Sequence, residues 1–211
     1  MNENTNLKGF VIINLADMLT EIGEGMVKDI LLSFLCPLNK DVEYFLHKKS
    51  IEFSKQSLSR THLIFCSYKS QTVLAAYFTL ANKFIQIDKN ALSNGYRKRI
   101  TKFGSYDTNI KKYIISAPLI AQLGKNFKFK EQNLISGDEL LKIACDKITE
   151  IQFEVGGSIA YLECEDVAKL KEFYTSNGFI AFGKRELDSD EKDDFSGNYL
   201  MQMVKYLHRS A

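Results

Sequence analysis

The chain has 211 residues, 45% of them apolar and 26% charged, with 28 Lys and Arg against 26 Asp and Glu and a formal net charge of +2. So apolar and balanced a composition excludes disorder as the main state, and the length suffices for a continuous core. Two prolines and 12 glycines exclude a fibrous class, and any basic surface has to be local.

No apolar run approaches the roughly 20 residues that span a bilayer. The N-terminal stretch lacks the basic start and small-residue cleavage site of a signal peptide, so a cytoplasmic protein with no membrane partner is expected. Cys36, Cys66, Cys145 and Cys164 show no CxxC spacing and read as reduced, mostly core residues. His47, His62 and His208 lack neighbours at ligand spacing, and no metal is expected.

Phe10 to Leu15 is apolar and β-branched, a first strand. Asp17 is placed to cap the helical region that follows, interrupted at Gly23 and Gly25 and stopped by Pro37. Asn39 is the next cap, with Asp41 and Glu43 in the positive first turn of a helix reaching about Gln56. The period then changes: His62 to Ser67 and Thr72 to Leu80 form a hairpin around Tyr68 to Gln71. An irregular polar stretch, Lys83 to Lys112, precedes a long apolar run, Tyr113 to Leu123, read as the central strand.

After a charged loop, Ser136-Gly137-Asp138-Glu139 opens an amphipathic helix with Leu140, Leu141, Ala144, Cys145, Ile148 and Ile151 on one face. Ile159 to Leu162 is a short strand of the kind buried on both faces. A second helix, Asp166 to Ser176, stops at Asn177-Gly178. Two strands follow, Phe179 to Arg185 and Tyr199 to Leu207, joined by the acidic loop Asp188 to Asp194. The order predicts a mixed α/β sheet whose centre is a parallel βαβ unit from Tyr113 to Leu162. The whole chain, 1–211, reads as one domain with a basic insertion at 83–112.

Walker A, GxGxxG, HExxH and nucleophile-elbow motifs are absent. The informative junction follows the central strand. A helix opened by Ser136-Gly137 offers unpaired amides at the positive end of its dipole, and Gly137 lets an anion approach the backbone. The same features also describe an ordinary capped helix.

Here the chain resembles the GNAT superfamily of acyl-CoA-dependent N-acetyltransferases. Gln132, Ile135 and Gly137 fall on the marked positions of its pyrophosphate loop, Gln/Arg-x-x-Gly-x-Gly/Ala, with Ile135 standing for the first glycine. Phe173, Tyr174, Gly178 and Phe179 reproduce its late Phe-Tyr-x-x-x-Gly-Phe pattern. Val167 stands where many members carry an asparagine.

The resemblance implies a central mixed sheet of six to seven strands flanked by helices and splayed at the parallel pair. It implies acetyl-CoA as co-substrate, bound by Leu123, Gln132, Asn133, Leu134, Ile135, Ser136, Gly137 and Asp138. A primary amine would attack the thioester directly. A backbone N–H near Leu123 would stabilise the oxyanion, and Tyr174 would protonate the departing thiolate, as a phenol protonated at neutral pH can. No general base is evident; Glu163 and Glu165 could draw a proton through water, although such carboxylates usually serve a helix dipole.

Between Lys83 and Lys112, eight Lys and Arg stand against Asp88 and Asp107, with Phe84, Tyr96, Phe103 and Tyr106 interleaved. Such a stretch could grip RNA, or be a solvated insertion. With Ser59 to Phe65 and Ala117 to Asn126 it resembles, more loosely, the branch of toxin-type enzymes that acetylate aminoacyl-tRNA. That likeness makes tRNA the expected partner and leaves room for a homodimer. The alternative is a non-catalytic RNA- or protein-binding module on the same fold.

Overall fold

The computed structural model describes residues 9–187 and 198–207. The acidic loop Asp188 to Asp194, His208 and the start of the N-terminal stretch lie outside them. The strands are β1 (Phe10–Asn14), β2 (Arg60–Tyr68), β3 (Gln71–Asp88), β4 (Gly104–Asp107), β5 (Lys112–Lys125), β6 (Ile159–Glu165), β7 (Ile180–Glu186) and β8 (Tyr199–Tyr206). They form one mixed sheet in the order β1-β2-β3-β5-β6-β8-β7, with β4 paired to β5. The helices are α1 (Leu15–Leu32), α2 (Lys40–Tyr44), α3 (Ser50–Lys55), α4 (Asn94–Ile100), α5 (Gly137–Val155) and α6 (Ala168–Ser176).

The chain divides into two compact units, one of Met1–Ala81 with Ala121–Ile143, the other of Asn82–Ile120 with Ala144–Ala211. In the first, β1 and β2 run antiparallel, with Phe10 opposite Cys66. β2 returns as β3 through Lys69 and Ser70, both at positive φ (49° and 61°), the conformation a two-residue hairpin turn of matching twist requires.

Asn14, not Asp17, caps α1, its side chain accepting from the Ala16 amide at 2.9 Å. The expected interruption falls at Gly23, whose φ of 79° is non-helical. Asn39 caps α2 as its sequence position predicts, accepting from Val42 N at 3.2 Å. A π-helical turn, Phe45–Lys49, joins α2 to α3. Leu15, Val27, Leu31, Phe34, Leu46 and Tyr77 make the centre of this unit's core.

In the second unit β5 and β6 pair in parallel, Leu119 opposite Tyr161 and Ile120 opposite Leu162, as the βαβ reading requires. The stretch from Lys83 is not irregular. β3 continues to Asp88, α4 follows, and β4 adds an eighth strand against β5. Leu92 and Ile100 bury their side chains with Ile115, Ile159, Tyr161 and Val204. Tyr96 fastens α4 to β8, its hydroxyl donating to Val204 O at 3.3 Å and accepting from Tyr206 N at 2.7 Å. The segment is half of a core because its apolar residues face partners distant in sequence, which local periodicity does not reveal.

Along α5, Leu140, Leu141, Ala144, Cys145 and Ile148 are buried, whereas Ile151 is 40% exposed. Cys36, Cys145 and Cys164 are buried, Cys66 is half-buried, and all four are free thiols. Among the described residues, no helix is long and apolar enough to cross a membrane.

Candidate acyl-transfer site

Gln132, Asn133, Leu134, Ile135, Ser136, Gly137 and Asp138 belong to the first unit, as does Leu123 near the end of β5. Tyr174 belongs to the second, on α6.

The turn between β5 and α5 begins at Asn126, within the stretch expected to be a charged loop. Asn126 is buried, and its side chain donates to Leu74 O at 2.8 Å and accepts from Leu35 N at 3.1 Å. Its own amide donates to Ala75 O at 2.8 Å. A buried amide satisfied on so many sides fixes the chain's exit from β5. A 3-10 turn, Phe127–Gln132, follows, and Asn133 then takes a left-handed conformation (φ 40°) with its side chain accepting from Lys125 Nζ at 3.1 Å.

Ile135 is 1% exposed. Where the GNAT pattern carries glycine, this chain buries a bulky apolar side chain. A cavity of about 30 Å³ lies beside it, lined by Ala75, Lys125, Phe127, Asn133 and Leu134 among others.

At the entrance itself, Ser136 Oγ accepts from Glu139 N at 3.1 Å while Glu139 Oε2 accepts from Ser136 N at 2.9 Å. This reciprocal pair is a capping box, the form that the capped-helix alternative takes at the Ser-x-x-Glu spacing. It occupies the Ser136 amide, one of those expected to face a diphosphate, and the Glu139 amide further along the first turn. Gly137, the first helical residue, contributes an amide and no side chain.

Tyr174 sits in the last turn of α6 with its ring edge-on to Phe173 and Phe179, at centroid distances of 5.0 and 6.0 Å. Burial pushes its phenol above the ordinary tyrosine value, and Cys164 adds to the rise. The group therefore stays protonated through neutral pH, the state a proton donor needs. At the other end of the helix, Val167 provides no side-chain cap, and Asp166 is held by Lys171 and Lys184 at 2.7 and 2.6 Å.

Glu163 is committed to other partners. Arg185 grips it with two hydrogen bonds, Nε to Oε1 at 3.0 Å and Nη2 to Oε2 at 2.8 Å. The Tyr161 hydroxyl also donates to it, and Gln202 donates to that hydroxyl at 2.8 Å. Burial works to raise the Glu163 pKa, yet the bonds from Arg185 and Tyr161, with the charges of Arg185 and Lys83, leave it below the usual carboxylate value. A carboxylate so stabilised is a weak base.

In the basic segment Lys83, Lys89, Lys98, Arg99, Lys102 and Lys111 are exposed. Arg97 is spent on Lys89 O and Asn94 Oδ1, at 2.6 and 2.7 Å. Of the four interleaved aromatics, Phe84 and Tyr106 are exposed, whereas Tyr96 and Phe103 pack on the core.

The sheet order, the parallel β5–β6 pair and the flanking helices define a GNAT fold. No protein-family model and no curated protein matches the sequence. Solved structures do match. AtaT complexed with acetyl-methionyl-tRNAfMet superposes with a TM-score of 0.60 at 18% identity, over 91% of this chain and 93% of that one. A tyrosine-to-phenylalanine mutant of KacT gives 0.58 at 16% identity, over 92% and 94%. AtaTR bound with AcCoA gives 0.56 at 19% identity, over 92% and 94%. Likeness at these identities establishes a shared fold.

Proposed function

We propose that this protein is an acetyl-CoA-dependent N-acetyltransferase that moves the acetyl group to a primary amine by direct attack on the thioester, with aminoacyl-tRNA as the acceptor. The observation that carries the reading is the passage from β5 into α5. A 19-residue helix opens on Gly137 directly after a turn that holds Lys125 beside Asn133. Helix-entrance amides and a lysine match a diphosphate in charge and in hydrogen-bond sense. Gly137 and Asp138 would supply amides, and Lys125 the cation. Gln132, Asn133, Leu134, Ile135 and Ser136 would shape the turn.

The backbone at Leu123 would donate to the oxyanion of the tetrahedral intermediate, a contact worth about 2.7–4 kcal/mol. Tyr174 would hand its proton to the leaving sulfur. The fold likeness to a protein solved with acetyl-methionyl-tRNAfMet, together with the exposed cations of the segment from Lys83, supports tRNA as the carrier of the amine. Calorimetry with acetyl-CoA, alongside transfer of labelled acetyl groups to bulk aminoacyl-tRNA, tests the reading. Absence of binding at millimolar acetyl-CoA would overturn it.

A second reading, a non-catalytic RNA- or protein-binding module, is favoured by the capping box, which consumes two entrance amides and leaves Asp138 and Glu139 in the first turn. It predicts salt-sensitive RNA binding with no acetyl transfer.

A further inference from the structure

The first unit carries a second concavity besides the turn between β5 and α5. A cavity of about 420 Å³ lies along the passage from α1 into α2, walled by Leu35, Pro37, Lys40, Glu43, Tyr44 and Lys48. That volume is in the range of sites that take a small molecule. Its walls are tied down from several sides. The Leu35 amide donates to Asn126 Oδ1 at 3.1 Å, and the Leu35 carbonyl accepts from Phe127 N at 2.7 Å. Glu43 Oε2 accepts from Cys36 N at 2.5 Å, and His47 Nε2 donates to Phe34 O at 3.1 Å.

The helix is also irregular at this wall. A π-helical turn takes in one residue more than an α-helical one, and such turns collect at functional sites. Here the turn is Phe45–Lys49. Phe45 and Leu46 go into the core, while His47 and Lys48 are delivered to the cavity.

The wall combines three kinds of group. Leu35, Pro37 and Tyr44 offer exposed apolar surface, and Lys49 Nζ, 5.3 Å from the centroid of the Tyr44 ring, steadies that ring. Lys40 and Lys48 are exposed and supply two cations. Glu43 spends one oxygen on Cys36 N, and a carboxylate has roughly four acceptor positions, so it can take a further donor. A flat body for the tyrosine, a phosphate for the ammonium groups and an N–H for the carboxylate are together the make-up of a nucleotide whose base bears an exocyclic amine. A nucleotide carries its anion at one end and its donor at the other, whereas an acidic peptide would set carboxylates against Glu43.

We infer that this cavity takes one unpaired nucleotide of an RNA strand. Its base stacks on Tyr44 with the exocyclic amine on Glu43, and its phosphates meet Lys40 and Lys48. The inference rests on the reading of RNA as the partner, and not on acetyl transfer.

The test measures binding of a fluorescein-labelled single-stranded RNA of mixed sequence, and of a blunt RNA duplex, over a range of salt concentrations. Wild type is compared with Tyr44→Ala, Tyr44→Phe and the double variant Lys40→Gln with Lys48→Gln, with melting temperature and acetyl-CoA affinity as references. Tyr44→Ala is expected to weaken single-strand binding about 5-fold or more, and Tyr44→Phe to keep it. The lysine variant is expected to lower the slope of log affinity against log salt by about 1.4, about 0.7 per cation. Duplex binding by Tyr44→Ala should match wild type, and the two references should not move. Unchanged single-strand binding in Tyr44→Ala overturns the proposal, as does an equal loss on the duplex. A fall in acetyl-CoA affinity in the lysine variant assigns the cavity to the cofactor and overturns it too. If Tyr44→Ala does not fold, the lysine variant decides alone, and an unaltered salt slope overturns the proposal. A wild-type protein that binds no RNA refutes the RNA reading itself, an outcome distinct from these.

Discussion

The Phe179 amide donates to the Tyr174 carbonyl at 3.0 Å, and one residue earlier the Gly178 amide donates to Thr175 O at 2.9 Å. These are the paired bonds of a Schellman stop, with Asn177 as the C-cap and Gly178 at φ 81°. The accompanying hydrophobic contact is the edge-on approach of Tyr174 to the fully buried Phe179. The spacing Phe-Tyr-x-x-x-Gly-Phe therefore has a structural meaning before any chemical one. It ends a helix and seats the tyrosine ring.

Gly178→Ala should destabilise the protein by about 1–2 kcal/mol, the cost of a left-handed residue with a Cβ. The space around a Cβ there is adequate, with Lys205 Cε no closer than 3.6 Å, so the cost is backbone strain alone. Gly178→Asn should lose less. Denaturant midpoints at unchanged m-value measure both.

Tyr174→Phe separates the two roles of that residue. The ring contacts with Phe173 and Phe179 survive, so melting should shift little, while acetyl transfer should fall about 10²–10⁴-fold with acetyl-CoA affinity retained. The pH dependence has a definite sign. A proton donor fails as pH rises through its pKa, and burial raises that of Tyr174. Turnover should thus show no alkaline loss from this group up to the ordinary tyrosine value near 10, as a kcat profile over that range would reveal.

What the sequence made legible was what neighbouring residues decide. Asn39 as a cap, Asn177-Gly178 as a stop and Tyr68 to Gln71 as a hairpin loop each depend on a few adjacent positions, and each appears where expected. Long-range partners had no such signature. The interior of the segment from Lys83 follows from Ile100 meeting Ile159 and Val204. Arg185 reaches Glu163 across 22 residues, and Asp41 meets Gln122 across 81. The capping box is local as well: Ser136 and Glu139 stand at the right spacing, and the structure realises the ordinary capped helix that the sequence offers beside anion binding.

The Glu163–Arg185 pair should act on stability in a way that depends on which partner is removed. Both side chains are largely withdrawn from water, at 10% and 21% exposure. Glu163→Ala strands the guanidinium and should cost about 3–5 kcal/mol, whereas replacing the two together by apolar residues should cost much less. Because the folded Glu163 pKa lies below its unfolded value, its contribution is present above the unfolded pKa and lost as pH falls through the folded one. Wild type should therefore lose an acid-side increment of stability that Glu163→Gln lacks, as urea titrations between pH 7 and about 3 would show.

Gly124→Ala tests how tightly α2 packs on β5. The added methyl would meet Val42 Cγ1 at 2.4 Å, Phe34 Cζ at 3.1 Å and a Tyr77 ring carbon at 3.2 Å. Val42 is β-branched and stiff, and it cannot swing aside cheaply. Overpacking of this kind costs about 1–3 kcal/mol. Removing the opposing methyls with Val42→Ala should relieve much of the strain, so the double variant should lose less than the sum of the singles. Denaturant midpoints of the two single variants and the double measure that coupling, and losses that simply add would show that the two side chains do not press on one another.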